Sequence, residues 1–154
     1  MRFLLDRTLG RLAKWLRILG YDAAVDSCLN ELEMRLRCRR EGRTLLTRRR
    51  GPDLPGVFRI GADRVRDQLQ ELVDHLDLSL EEKGRLLSRC TVCNIHIEEI
   101  SRETAEGRVP EYVFQTQEQF HICPACKRIY WHGTHPDRIH RWLQQVGGED
   151  KLRG

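Results

Sequence analysis

Two Cys-x-x-Cys pairs constrain this chain more than any other feature. Cys90-Thr-Val-Cys93 and Cys123-Pro-Ala-Cys126 are separated by 29 residues. Each pair can present two thiolates from one tight turn, and two such turns complete a tetrahedral Zn2+ shell. A thioredoxin-type redox motif is the rival reading of a single pair. Two pairs in a stretch with little other apolar core point to zinc instead. Four thiolates close the shell against water, so this zinc reads as structural, the staple that a small domain needs. Residues 87–146 then read as a four-cysteine zinc ribbon. Tyr112-Val113-Phe114, Gln119–Ile122 and Ile129-Tyr130-Trp131 are its strand candidates. A terminal helix over 136–146 places Ile139, Trp142, Leu143 and Val146 on one side, and 147–154 reads as a flexible tail.

The first half has a different rhythm, and residues 1–86 read as one α/β domain. Phe3-Leu4-Leu5 is a short apolar run ending in Asp6. Residues 9–19 place Leu9, Leu12, Ala13, Trp15, Leu16 and Leu19 on one helical face, stopped by Gly20. Ala23-Ala24-Val25, Thr44–Thr47 and Val57–Ile60 are further strands. Helices are expected over Asn30–Glu41 and from Val65 to Leu76. This alternation predicts a mostly parallel sheet flanked by helices. Cys28 and Cys38 show no partner spacing and read as buried small apolar residues.

Charge is uneven along the chain. The first fifty residues carry 13 Lys and Arg against 6 Asp and Glu, whereas the whole chain has a formal charge of only +4. Such clustering suggests a polyanionic partner, nucleic acid before an anionic membrane surface. Arg35, Arg37, Arg39, Arg40 and Arg43, followed by Arg48-Arg49-Arg50, form the densest positive stretch. It reads either as a solvated helix face or as phosphate contacts. No apolar run approaches the roughly 18 residues of a membrane span. Arg2 and Asp6 interrupt any signal-peptide core, and the metal-type cysteine spacing suits a reducing, cytoplasmic compartment.

In open α/β sheets the chemistry lies beyond the carboxyl ends of the strands. Asp6 follows the first strand, Asp63 follows the Val57–Ile60 strand, and Glu31 opens the second helix. Together these three carboxylates could hold Mg2+ or Mn2+, which take hard oxygen ligands and can activate water against a phosphodiester. Taken singly, Asp6 also reads as a helix cap, Glu31 as a partner of the helix dipole and Asp63 as a turn residue, and spacing alone favours these plainer roles.

Phe3-Leu-Leu-Asp-Arg-Thr-Leu-Gly-Arg-Leu-Ala-Lys-Trp-Leu-Arg-Ile-Leu-Gly-Tyr-Asp22 closely resembles the opening of the Mut-seven C-terminal RNase domain family, and Glu41-Gly-Arg-Thr-Leu-Leu-Thr-Arg48 extends the likeness. The resemblance implies a PIN-like nuclease fold with acidic residues at its strand ends, followed by a zinc ribbon. It matches Asp6 to the first acidic position, places Glu31 near the second and makes Asp63 a looser late candidate. One departure stands out: Thr47-Arg48-Arg49 occupies a place where the family usually reads Thr-Arg-Asp. Three functions follow as expectations. The first is a ribonuclease, a hydrolase using Mg2+ or Mn2+ at Asp6, Glu31 and Asp63, with Arg7, Arg11, Arg48, Arg49 and Arg50 binding RNA. The second is an RNA-binding module in which Arg49 has ended catalysis, and the third is a scaffold that docks through its zinc ribbon.

Overall fold

The computed structural model describes residues 1–80, 85–132 and 135–151, the side chains of the last stretch from 137 to 146. The chain divides into two compact units, Met1–Asn94 and Ile95–Gly154.

The first unit is built on four parallel strands in the order β2-β1-β3-β4: β1 Arg2–Asp6, β2 Asp22–Asp26, β3 Thr44–Thr47 and β4 Val57–Arg59. Parallel neighbours need crossovers. Helices α1 (Gly10–Ile18) and α2 (Glu31–Glu41) supply the first two, and α3 (Val65–Leu76) follows β4. Alternation along β1 and β3 sends side chains to opposite faces. Leu4 and Leu45, paired in register, pack with Met34 and Cys38 of α2. Phe3, Leu5 and Leu46 alternate to the other side of the sheet. The fully buried Leu12 and Leu16 of α1 and Leu69 and Leu72 of α3 complete the core. Each such leucine contributes about 2 kcal/mol through burial. Cys38 is buried as expected, but Cys28 is exposed because it sits in the turn between β2 and α2, ahead of the first helical residue.

Local chemistry sets the helix ends. Asn30 and Glu33 form a reciprocal capping box on α2, and Gly42 ends that helix at φ +66°. Gly20, at φ +86°, turns the chain after α1 where a Cβ would run into the backbone of Arg85.

In the second unit β5 (Glu98–Ile100), β6 (Phe120–Ile122) and β7 (Ile129–Trp131) form an antiparallel sheet in that order. The short α4 (Arg102–Ala105) and α5 (Glu111–Thr116) lie between β5 and β6 in sequence. Ala105, Val113 and Phe120 form its small core, with Phe114 stacked 6.3 Å from Phe120. Tyr112-Val113-Phe114, expected as a strand, is helical. Pro110 precedes the first turn, and its carbonyl accepts from the amides of Val113 and Phe114. A three-residue apolar run has too little periodicity to separate the two states. The third strand is Glu98–Ile100, whose acidic, exposed face hid it. The final helix α6 runs from His135 to Lys151 and buries Ile139, Leu143 and Val146. Of the tail expected at 147–154, residues 147–151 continue this helix and 152–154 lie outside the described residues.

Candidate functional site

The carboxyl edge of the parallel sheet gathers the expected site residues. Asp6 ends β1 and is only 4% exposed. One carboxylate oxygen accepts from the Thr8 amide and hydroxyl, and the other from the Thr47 hydroxyl at 2.7 Å and the Arg48 amide at 3.1 Å. An ionised carboxylate has about four lone-pair sites, and each here has a donor. Burial alone would raise the Asp6 pKa. The hydrogen bonds from Thr8, Thr47 and Arg48 outweigh it and hold the carboxyl below its ordinary value. Asp6 therefore stays ionised and clasps the end of β1 to the loop that leaves β3.

Parallel register sets Asp26, the last residue of β2, directly beside Asp6. Both line one cavity of about 490 Å³ together with Arg7, Thr8, Arg48 and Arg49. Asp26 accepts from the amides of Cys28 and Leu29 and pairs with Arg37 at 2.9 Å. It was missed in the sequence although the rule that singled out Asp6 applies equally to it. Ala23-Ala24-Val25 ends in an aspartate just as Phe3-Leu4-Leu5 does.

Glu31 and Asp63 are absent from the walls of that cavity. Glu31, at the start of α2, takes the guanidinium of Arg59 on both oxygens, at 2.8 and 3.3 Å. That hydrogen-bonded pair, with Arg35 and Arg49 nearby, holds the Glu31 carboxyl below its ordinary value despite some burial. Asp63 is paired with Arg48 and lines a neighbouring cavity of about 710 Å³. The three carboxylates expected to converge do not: among the described residues no group of three or more acidic side chains comes within reach of one ion. Arg49 lies near Glu31 and also lines the cavity that holds Asp6.

Arginines rim this edge. Arg7, Arg48 and Arg49 border the central cavity, and Arg7, Arg11, Arg48 and Arg64 border the larger one. Arg48, Arg49, Arg50 and Arg59 border a third cavity of about 400 Å³. Arg48 and Arg59 hold acids, whereas the side chains of Arg7, Arg11, Arg49, Arg50 and Arg64 make no ion pair among the described residues. Such cationic walls can take phosphate. The Arg35–Arg43 part of the basic stretch divides by role. Arg37 joins Asp26 and Glu41, and Arg43 joins Asp22 and Glu41, so both are framework.

The cysteines form the second centre. Their four sulfurs lie within 4.8 Å of one another, near the separation of about 3.8 Å that four sulfurs take around zinc at about 2.3 Å. Two turns repeat the same local geometry. The Cys93 amide donates to Cys90 Sγ at 3.3 Å, and the Cys126 amide to Cys123 Sγ at 3.5 Å. The following residues, Asn94 and Lys127, adopt φ +63° and +62° and donate their amides to the carbonyls of Cys90 and Cys123. Converging soft donors, oriented by backbone N–H groups, fit zinc.

The fold and its two centres define a class: a parallel α/β protein with an acid-and-arginine strand edge and a four-cysteine cluster that can bind zinc. A family model described as the Mut7-C RNAse domain matches residues 1–143, and the chain belongs to that family. No curated protein and no solved structure matches it. Among the described residues no helix is long and apolar enough to cross a membrane.

Proposed function

We propose that this protein is a metal-dependent ribonuclease whose centre is the Asp6–Asp26 pair. The observation that carries this reading is the parallel register that sets the two aspartates side by side in an arginine-rimmed cavity. Family membership supports RNA as the substrate class. The donor set suits Mg2+ or Mn2+ in one particular way, since Mg2+ is commonly held by one or two carboxylates together with substrate phosphate and water. Asp6 and Asp26 would be those carboxylates, and the Thr8 hydroxyl, which can rotate away, is the hydrogen bond that would yield. When bound, such an ion supplies charge neutralisation at the phosphate and an acidified water. Arg7, Arg48 and Arg49 hold the phosphate against the aspartates. Glu31 anchors Arg59, and Asp63 is the resting partner of Arg48. The zinc has a structural role in this reading.

Cleavage of an end-labelled, mixed-sequence RNA in Mn2+ tests this. Wild type should cut, and Asp6→Asn and Asp26→Asn should each lower the rate at least about a hundredfold. Equal cleavage by wild type and Asp26→Asn would overturn the assignment. A second reading, RNA binding without cleavage, is favoured by the full hydrogen-bond complement of Asp6 and by Arg49. It requires RNA affinity that is indifferent to Mn2+, with no cutting by any variant.

A further inference from the structure

We propose that the arginine rim is a track for three consecutive phosphates of one RNA strand, with Arg48 as the post shared by all three seats and Asp63 as the carboxylate that phosphate displaces. This rests on RNA being the ligand, as argued above, but not on cleavage. The three cavities at the strand edge have one residue in common, Arg48. The central one alone holds Asp6 and Asp26. Its neighbours are cationic on both sides, through Arg11 and Arg64 on one and Arg50 and Arg59 on the other. A chain that ended at the acidic pair would need such a basin on one side only. Basins on both sides suit a strand that passes through. The seats are concave and all three include Arg48, the central one sharing Arg7 and Thr8 with one neighbour and Arg49 with the other, so successive phosphates must turn inward together. A flexible single strand does this readily, whereas a duplex fixes its phosphates along a regular helix.

The state of Arg48 indicates how the track loads. Its partner Asp63 has a side chain 87% exposed, and Arg48 itself is 36% exposed. A pair this open to water contributes little, while a phosphate offers the arginine fork a bidentate partner. The backbone amide of Arg48, bonded to Asp6, keeps the residue in place whichever anion its guanidinium holds. Arg59 stiffens the far side through the Pro52 and Arg49 carbonyls, and Arg49 and Arg50 line the same cavity.

The test is fluorescence anisotropy of the intact, zinc-loaded protein with labelled oligouridylates of two, four and eight nucleotides, in buffer without divalent ions. The tetranucleotide, with three phosphates, should bind about tenfold or more tightly than the dinucleotide, with a salt slope of about −2. Arg48→Gln should lose about tenfold and flatten that slope by about 0.7. Asp63→Asn should tighten binding severalfold, the opposite of its effect if Asp63 were an essential ligand. Arg64→Gln and Arg50→Gln, at exposed positions in the two outer seats, should each flatten the slope even if Arg48→Gln folds poorly. Wild-type slopes in Arg64→Gln and Arg50→Gln, weaker binding by Asp63→Asn, or equal affinity for a duplex of the same length would overturn the track. Track-like binding with no cleavage in Mn2+ would overturn the ribonuclease reading alone. Cleavage with a one-phosphate slope would overturn the track alone.

Discussion

The amino and carboxyl edges of the parallel sheet are built from the same residue types and finished differently. At the amino edge the charges gathered around Asp22 are paired with one another. Asp22, at the start of β2, receives Arg43 at 2.6 Å, Arg2 at 3.1 Å and the Asn94 amide group at 2.8 Å. Arg43, whose side chain is 8% exposed, also holds Glu41 and the Phe3 carbonyl. Burial would raise the Asp22 pKa, but hydrogen bonds from Arg43, Asn94 and Arg2 hold it far below the ordinary value. At the carboxyl edge the acids are also satisfied, yet five arginines around them are left without ion pairs among the described residues. Paired arginine at one end is framework. On the reading proposed above, the unpaired arginines at the other are the ones that would meet phosphate, a distinction that basic composition does not make.

The first cysteine turn belongs with the framework edge. Asn94 accepts from the Ala23 amide, and Arg17 donates to the carbonyls of Thr91 and Val92. Stripping zinc should therefore give the largest effect and give it at one edge. On the scale of zinc-finger peptides the metal contributes about 10 kcal/mol or more. Chelation should collapse hydrogen-exchange protection at Cys93, Ala23 and Asn94 first while leaving that of Leu5 and Leu46 largely intact. Uniform loss at both edges would break the distinction.

Cutting the amino-edge network should come next. Arg43→Ala takes the main cation from Asp22 and one of two from Glu41, at a cost of about 3–5 kcal/mol on the scale of a broken buried pair, with RNA affinity unchanged in the fraction that remains folded. Urea denaturation and anisotropy on one sample would read both. Asp6→Ala should cost slightly less, about 3 kcal/mol, because it orphans the Thr47 hydroxyl and the Arg48 amide.

Acid should weaken both edges together. Asp6 and Asp22 have folded-state pKa values below their unfolded ones. Their contribution is thus fully present above the unfolded value of about 3.9 and is lost as pH falls through the folded values. The urea midpoint should fall below about pH 4, and Asp22→Asn should flatten that decline. An unchanged acid limb in this variant would count against the network.

The smallest effects concern two left-handed glycines. Gly20→Ala meets the Arg85 carbonyl as well as an unfavourable φ and should cost about 2–3 kcal/mol. Gly42→Ala faces open space and should cost only about 1 kcal/mol. Thermal melts of the two proteins decide the order.

Much of this was legible in order along the chain. Cys-x-x-Cys encodes a turn and two thiolates within four residues, so spacing alone picked out the four sulfurs that the fold brings together. The strand–helix alternation likewise carried the parallel sheet, because each element shows its period locally. Tyr112–Phe114 failed where the run was too short to have a period. Asp26 shows a different failure, for it follows its strand just as Asp6 does, yet only the pairing of β2 with β1 shows that the two stand side by side. Pairing across the sheet decided the rest. Arg43 and Arg49 look alike in a basic stretch, yet one meets Asp22, 21 residues away, inside the framework, and the other reaches a cavity. The sum of the charges is a property of composition. Which of them are neutralised depends on neighbours brought within about 3 Å by the fold, since ion pairing falls off with distance in space and takes no account of distance along the chain.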